Sequence, residues 1–539
     1  MATQHLQHHR GGSSTAAGAG GSSIDDAIGT DLLHNIISRL PATSFASAAC
    51  VNRSWNSICS RILSYPKLSS AISLNPSLEE AVNEVVEKVL SEPIRPQFVI
   101  ASIGPSFTLP RAHQLITASF GSGVPVITSL SDGIIGRDAL TSEFKEVQWE
   151  LMEDDEDLDG HGNLLPNQGI VLTVGHLPDM RATMIPLLSQ DEEPLMIDEF
   201  VMDIREYASL VSGSTSPAAI ILFSDLKTDM RPVLQKFDYT FSFETVVVGE
   251  GGGRYFYRSD WDKNTTMKPD GNPAVVALLF VKDRHKPPGI GETKFHATLS
   301  TGLHPVGAVY KAASVREEKN ERSTWLTARR EATSVHLDGQ SILDNVYNEI
   351  GDRIQHLALY IGVNKRRKCS IGLKKARWMM FLEFHEVIGG DEEYLYVNDL
   401  GIRTGDSFRF YVSDSDATLS SNTNVTEYFR RLKHEYDHMS NQQDSGSVAN
   451  TNKKSVFGGL IFACCGRGTS FFGRSNVDSA PFLESFPGAT LGGTFCSGEI
   501  KLANKSIYGQ EQESEDQGYV RCTLHFFSTT YLVLSYIPA

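Results

Sequence analysis

The sequence contains no apolar run long enough to cross a bilayer. Its longest clean one, AVVALLFV at 274–281, falls well short of the roughly 18 residues a spanning helix needs, so no membrane role is expected. It has no basic excess either: 49 Lys and Arg against 65 Asp and Glu give a formal charge of −16. Nucleic acid and anionic lipid select basic surfaces, so neither is expected as the main partner. Cysteine is sparse, with seven residues at irregular spacing and no C-x-x-C pair. That excludes a disulfide framework and a structural zinc site of ordinary spacing, and it points to a reducing compartment, the cytoplasm or nucleus. The first 23 residues carry no apolar leader; their Gly/Ala/Ser bias reads as a disordered tail. No repeat period is visible, and in particular no run of leucine-rich repeats.

What is present suits folded protein. The chain has 539 residues, 40 % of them hydrophobic and 9 % aromatic, enough for two to four domains with real cores. Order is expected from Ile24. TDLLHNIISRLP places Leu32, Leu33, Ile36, Ile37 and Leu40 on one helical face, with Thr30 as N-cap and Pro41 as the break. A second helix follows, carrying Phe45, Ala48, Ala49, Val51 and Trp55, then Ile58, Cys59 and Ile62. Some 40 residues of short amphipathic helix are too few to bury a core alone, so a partner or the next domain must cover the surplus.

From residue 78 strands and helices alternate, from LEEAVNEVVEKVL to AVVALLFV, as in an α/β domain of about 200 residues. The second half is richer in strands. It has helices at SILDNVYNEIG and VTEYFRRLKHEYDHM, a polar loop at 440–454, and a buried strand running into FACCGRG. The fold class expected is multidomain α+β and α/β, a short all-helical unit followed by a large mixed region.

Four segments invite chemistry. EDDEDLDGHGN at 153–163 copies the opening of a calcium loop but has Pro166 where a bidentate Glu is needed, so it reads as a solvated acidic loop. VVVGEGGGRYFY at 246–257 has glycines after a strand, but β-prone aromatics follow where a nucleotide site needs a helix; it reads as a loop between strands. KRRKC and the nearby KKAR, within 365–377, suit a nuclear import signal, a dock for an acidic partner or a solvated loop. In FACCGRGTSFFGR, 462–474, a nucleophilic Cys464 or Cys465 would need a base, and no local signature ties His385, His434, His438 or His525 to it. The same segment lacks the lysine of a P-loop. Its cysteines, ending an apolar strand, read as small core residues, and Arg467 in a glycine-rich turn suits a carboxylate or phosphate.

Residues 24–62 resemble an F-box. The features are the Leu-Leu/Ile-Ile helix, Leu40-Pro41, and the Ala-Cys-Val-Asn-Arg-x-Trp run; Gly29 stands where the family usually has Pro. The resemblance implies docking on a Skp-type adaptor and, through it, on a cullin and a RING protein. Leu32, Leu33, Ile36, Leu40, Pro41, Val51 and Trp55 would form the interface. Residues from about 80 to 500 resemble the two-part FIST domain. VPVITSLSDGIIG stands for the first part, with Thr128 and Ser129 replacing the usual Gly-Cys and Gly133 kept. LDGQSILDNVYNEIG and FACCGRG…FFG…FLESFP…LGGTF-x-x-GEI stand for the second, with Lys501 where Gly is common.

These resemblances divide the chain into a tail (1–23), F-box (24–68), FIST N-terminal part (78–290), FIST C-terminal part (291–505), and an acidic linker with closing strands (506–539). They imply a non-catalytic ubiquitin-ligase subunit, without metal or cofactor, whose FIST region selects a protein target. The alternative they imply is a sensor of a small amino-acid-like ligand, with Arg467, Gly468, Gly498 and Glu499 lining its pocket.

Overall fold

A computed structural model describes residues 29–149, 167–188, 195–259, 273–331, 335–351, 358–372, 375–441, 454–502 and 522–539. The N-terminal tail, the acidic loop at 153–163, most of the polar loop at 440–454 and the linker at 506–521 lie outside the described residues.

Three short helices come first: α1 (Thr30–Ile37), α2 (Ala42–Ala48) and α3 (Arg53–Ile62). The expected second helix is therefore two. Asn52 is extended (φ −159°), and its side chain caps α3 by accepting from the backbone N–H of Trp55. Gly29, not Thr30, precedes α1, with no side-chain cap. Leu33, Ile37, Phe45, Ala48, Ile58 and Cys59 close on one another as a small core.

The body that follows is built from three copies of one topology. Unit 1 runs β1 (Lys67–Ser73), α4 (Leu78–Val89), β2 (Phe98–Ile103), α5 (Leu109–Ser119), β3 (Val126–Leu130), the hairpin β4 (Gly133–Arg137) and β5 (Phe144–Gln148), and β6 (Ile170–His176). Unit 2 runs β7 (Met180–Leu188), α6 (Ile197–Ser212), β8 (Ala219–Ser224), α7 (Met230–Thr240), β9 (Val246–Glu250), β10 (Tyr255–Arg258) and β11 (Pro273–Lys282).

Unit 3 starts with β12 (Glu292–Ser300) and is interrupted by an insertion. It resumes with α9 (Ser415–Asn441), β20 (Ser455–Cys464), the short helices α10 (Thr469–Phe472) and α11 (Ala480–Ser485), and β21 (Thr490–Cys496). The hairpin β22 (Glu499–Leu502) and β23 (Cys522–His525) and then β24 (Thr529–Ile537) complete it. Each unit pairs its strands alike: β1-β6-β2-β3, β7-β11-β8-β9 and β12-β24-β20-β21. In each, the last two of these strands are parallel and the other pairs antiparallel.

The arm that leaves the last strand of each unit pairs with another unit. β4 of unit 1 joins β21, β10 of unit 2 joins β3, and β22 of unit 3 joins β9. Equivalent backbone bonds mark the three exchanges: Asp132 N–H to the Phe495 carbonyl, Leu130 N–H to the Arg254 carbonyl, and Gly251 N–H to the Gly498 carbonyl. Gly133 opens the first arm because a Cβ there would lie 2.4 Å from the Val147 carbonyl oxygen.

Inner faces of the three sheets meet in one core, with Phe98 and Ile100, Phe223 and Phe280, and Leu460 and Phe462 from successive units. Helices cover the outer faces, as in the Val82, Val85, Ala112 and Ile116 layer of unit 1. Strands buried on both sides explain the continuous apolar runs of the sequence. The division expected at 290/291 falls between units 2 and 3, and the exchange spans it. Strands from both halves pair in two sheets, and β1 begins at Lys67, inside the span assigned to the F-box.

The insertion in unit 3 is a barrel: β13 (Leu303–Glu318), β14 (Ser323–Arg330), β15 (His336–Leu337), α8 (Gly339–Ile350), β16 (Leu359–Cys369), β17 (Arg377–Gly390), β18 (Leu395–Asn398) and β19 (Ser407–Ser413). The long β13 pairs with both β19 and β14, closing the order β13-β19-β16-β17-β18-β14 on itself. Ile342, Leu343 and Val346 of α8 share its core with Phe408 and Phe410.

Candidate functional site

The helical unit divides its apolar residues between two faces. Leu33, assigned by sequence to a partner, is instead 3 % exposed and belongs to the internal core. Leu32, Ile36 and Val51 remain 54 %, 45 % and 59 % exposed. Pro41 is exposed too, while Leu40 and Trp55 are half-buried and pack on the core. Three large exposed aliphatic side chains, two on α1 and one in the turn before α3, are apolar surface suited to a protein partner.

This unit is not tethered by a long linker. α3 ends at Ile62 and β1 starts at Lys67. Tyr536 Oη donates to the Ser64 carbonyl at 3.1 Å, the His176 ring nitrogen Nε2 lies 2.9 Å from the Leu63 carbonyl, and Ala42 N–H donates to Leu90. Tyr65 packs edge-on against Tyr536 with ring centroids 5.7 Å apart. The body thus fixes the direction in which the exposed face points.

The residues expected to line a ligand pocket are spent internally. Arg467 has no solvent exposure. Its carboxylate partner is Asp478 of the same chain, with Nε 3.1 Å from Oδ2 and a second bond from Nη2 to Oδ1. Its remaining donors reach the Phe527 carbonyl and Ser300 Oγ, and Phe472 stacks on the guanidinium. Asp478 keeps Arg467 charged against the cost of desolvation.

Gly468 adopts φ +100°, where a Cβ would strike Gln148, and the Gly498 carbonyl takes part in an arm exchange. Glu499 is fully buried and accepts from the Ser528 N–H and hydroxyl; burial raises its carboxyl well above the usual range. The turn at 462–474 is therefore a structural junction at Arg467.

A cavity of about 160 Å³ lies elsewhere, between the barrel and unit 2. Arg231, Leu234 and Gln235 of α7 form one wall, and Phe381, Glu383 and Phe384 of β17 the other. Nothing in the sequence marks it, since its two walls lie about 150 residues apart and only the docking of the barrel brings them together. The basic run KRRKC also proves to be strand rather than loop. It ends β16, where Lys365 bonds Asp406, Arg367 bonds Glu383, and Arg366 stacks on Trp378. The glycines after β9 lead into β10, so that segment is the expected connection between strands.

Comparison with known proteins identifies the helical unit as a domain. The F-box domain model matches residues 28–67. An F-box/LRR-repeat protein of Arabidopsis thaliana is 41 % identical over 517 residues, which cover 95 % of this chain and 93 % of the relative. The leucine-rich repeats in that name would stack one parallel strand per short repeat. The described residues here form instead three mixed sheets and a barrel. With a matched F-box and a relative of this extent, the chain belongs to the F-box proteins.

Proposed function

We propose that this chain is the substrate-receiving subunit of an SCF-type cullin-RING ubiquitin ligase, acting in the cytoplasm or nucleus. The carrying observation is the helical unit, whose Leu32, Ile36 and Val51 stay exposed while the opposite face closes on itself. A Skp-type adaptor would cover that face, with cullin and RING protein following through it. The body, read as the two-part FIST region, would hold the target. Because α3 joins β1 directly, a bound target would be presented at a fixed distance and direction. That raises its effective concentration near the charged ubiquitin carrier without chemistry from this chain.

The test is co-purification of the full chain with a Skp-type adaptor and cullin, beside Leu32→Asp/Ile36→Asp. Both positions are solvent-exposed, so the variant should melt as the wild type does while losing the adaptor. Failure of the wild type to bind would overturn the reading. A second reading, a small-ligand sensor, is favoured by the cavity between α7 and β17 rather than by Arg467. It predicts ligand-dependent melting shifts abolished by Leu234→Trp, which would fill that cavity.

A further inference from the structure

The cavity between α7 and β17 is lined by polar groups whose hydrogen bonds the protein does not complete. Gln235 lines it from α7 and is only 9 % exposed, yet its side-chain Nε2 has no partner among the described residues. Arg231, one turn earlier on the same helix, spends Nε and Nη2 on Asp229 at 2.7 and 3.0 Å, and Nη2 also on Asp399 at 2.8 Å. Its Nη1 has Glu383 in range at 4.0 Å, too far for a hydrogen bond. Glu383, buried on β17, faces Arg367 Nη2 with both oxygens, at 2.8 and 2.9 Å, but accepts a hydrogen bond only through Oε2, which leaves Oε1 without one. Two donors spaced i and i+4 on one helix thus stand opposite one acceptor.

Formal charge at the site is already balanced. Arg231, Arg322 and Arg367 stand against Asp229, Asp399 and Glu383 in ion pairs of 2.7, 2.8, 3.1 and 2.8 Å. A ligand with net charge would bring a desolvated charge with no counter-ion. Leu234, Phe381, Phe384 and Phe526 supply apolar wall around these groups. The volume of about 160 Å³ is that of a cavity able to take one six-membered ring.

We propose that this cavity binds a neutral cyclic amide, a lactam or ureide of single-ring size, an assignment that rests on the sensor reading above and names its ligand class. The carbonyl, with two lone pairs, would accept from Arg231 Nη1 and Gln235 Nε2, and the adjoining N–H would donate to Glu383 Oε1. Solvent alone could answer the polar atoms but not the phenyl faces. A ring edge that reproduces those bonds while the ring body displaces water gains on both counts. Because α7 belongs to unit 2 and β17 to the barrel, the bound ring would bridge the two.

The probes are δ-valerolactam, its N-methyl derivative, which lacks the donor, and cyclohexanone, which keeps only the carbonyl. Each is titrated into the full chain at pH 7 and followed by ligand-observed NMR. The lactam should bind about ten-fold more tightly than either control, since a missing donor leaves a buried acceptor unpaired. Gln235→Met should weaken lactam binding about ten-fold and melt no lower than the wild type, because it removes a buried amide that has no partner. Equal binding of all three probes would overturn the ligand class while leaving the sensor reading in place. Binding of none of them at about 10 mM, a generous limit for so small a ligand, would overturn both. Undiminished lactam binding by Gln235→Met would place the ligand elsewhere and overturn the site. The comparison of probes on the wild type decides the ligand class without any variant.

Discussion

Arg467 and Asp478 form an ion pair from which solvent is wholly excluded, both side chains having no exposure. Thr529 Oγ1 donates to Asp478 Oδ1 at 3.0 Å, and Tyr531 Oη donates to the Asp478 carbonyl. The pair therefore ties the glycine turn, the segment before α11 and β24 together. Removing one partner leaves an uncompensated buried charge, so Asp478→Asn should cost about 3–5 kcal/mol. A paired Arg467→Met/Asp478→Leu change should recover much of that loss. Urea midpoints of the three proteins measure it; an undiminished midpoint for Asp478→Asn would contradict a structural role for the pair.

Cyclic exchange of arms links the fates of the three units. Unit 1 cannot unfold without stripping β4 from β21 and exposing the β3 edge to which β10 pairs. Units joined through continuous sheets should melt together. Calorimetry on the full chain should show one dominant transition for the three units. Ile134→Pro, which removes a ladder donor from the middle of β4, should lower that whole transition rather than split off part of it. Independent melting of the units would count against the exchange.

The barrel should be separable, because its ends meet. Leu303 pairs with Ser413, and Asp414 N–H donates to the Gly302 carbonyl at 3.3 Å. Replacing residues 303–413 by two glycines should leave the three units folded, since insertions at adjoining ends are tolerated. It exposes Phe526 and Phe527, which pack on Tyr360, so a modest loss of stability is expected. Retained strand content by circular dichroism and a monomeric elution volume would check this. Aggregation of the excised protein would show that the barrel is integral.

Glu250 gives a pH dependence of known sign. It is buried in the shared core, and desolvation raises its carboxyl from the usual range to about 7. Between about pH 4.5 and 7 the unfolded chain has lost this proton and the folded chain keeps it, so the contribution to stability falls as pH rises. Glu250→Gln does not titrate. Relative to wild type it should gain about 3 kcal/mol between pH 4.5 and 8, the equivalent of the raised carboxyl. Denaturation midpoints of the two proteins at those pH values test it; a constant difference would mean that Glu250 ionises as readily as in water.

Much of the local structure was legible in the sequence. The fully buried β2, β8 and β11 announce themselves as FVIASI, AIILFS and AVVALLFV, because a strand covered on both faces must be apolar throughout. The periodicity of α4 and α6, and the Leu-Leu/Ile-Ile and Leu-Pro pattern of the opening helices, were legible for the same local reason. Pairing between distant strands was not. The three copies start at Lys67, Met180 and Glu292, but they share burial pattern rather than residues, and a barrel interrupts the third.

The amino-acid sequence by itself determined where most helices and strands lie, though not that the second opening helix is two or that KRRKC is strand, and that the opening helices carry more apolar surface than they can bury among themselves. Tertiary structure alone decided which of those side chains face outward: Leu33 turns in while Leu32 and Ile36 turn out. It also gave Arg467 its partner in Asp478 and placed Asp132 against Ser497. The physical reason is common to all three. Helical and strand periodicity are written in neighbours a few residues apart, whereas the partner of a buried charge or of a carboxylate such as Asp132 is supplied by groups distant in sequence that only the packed units bring within hydrogen-bond distance.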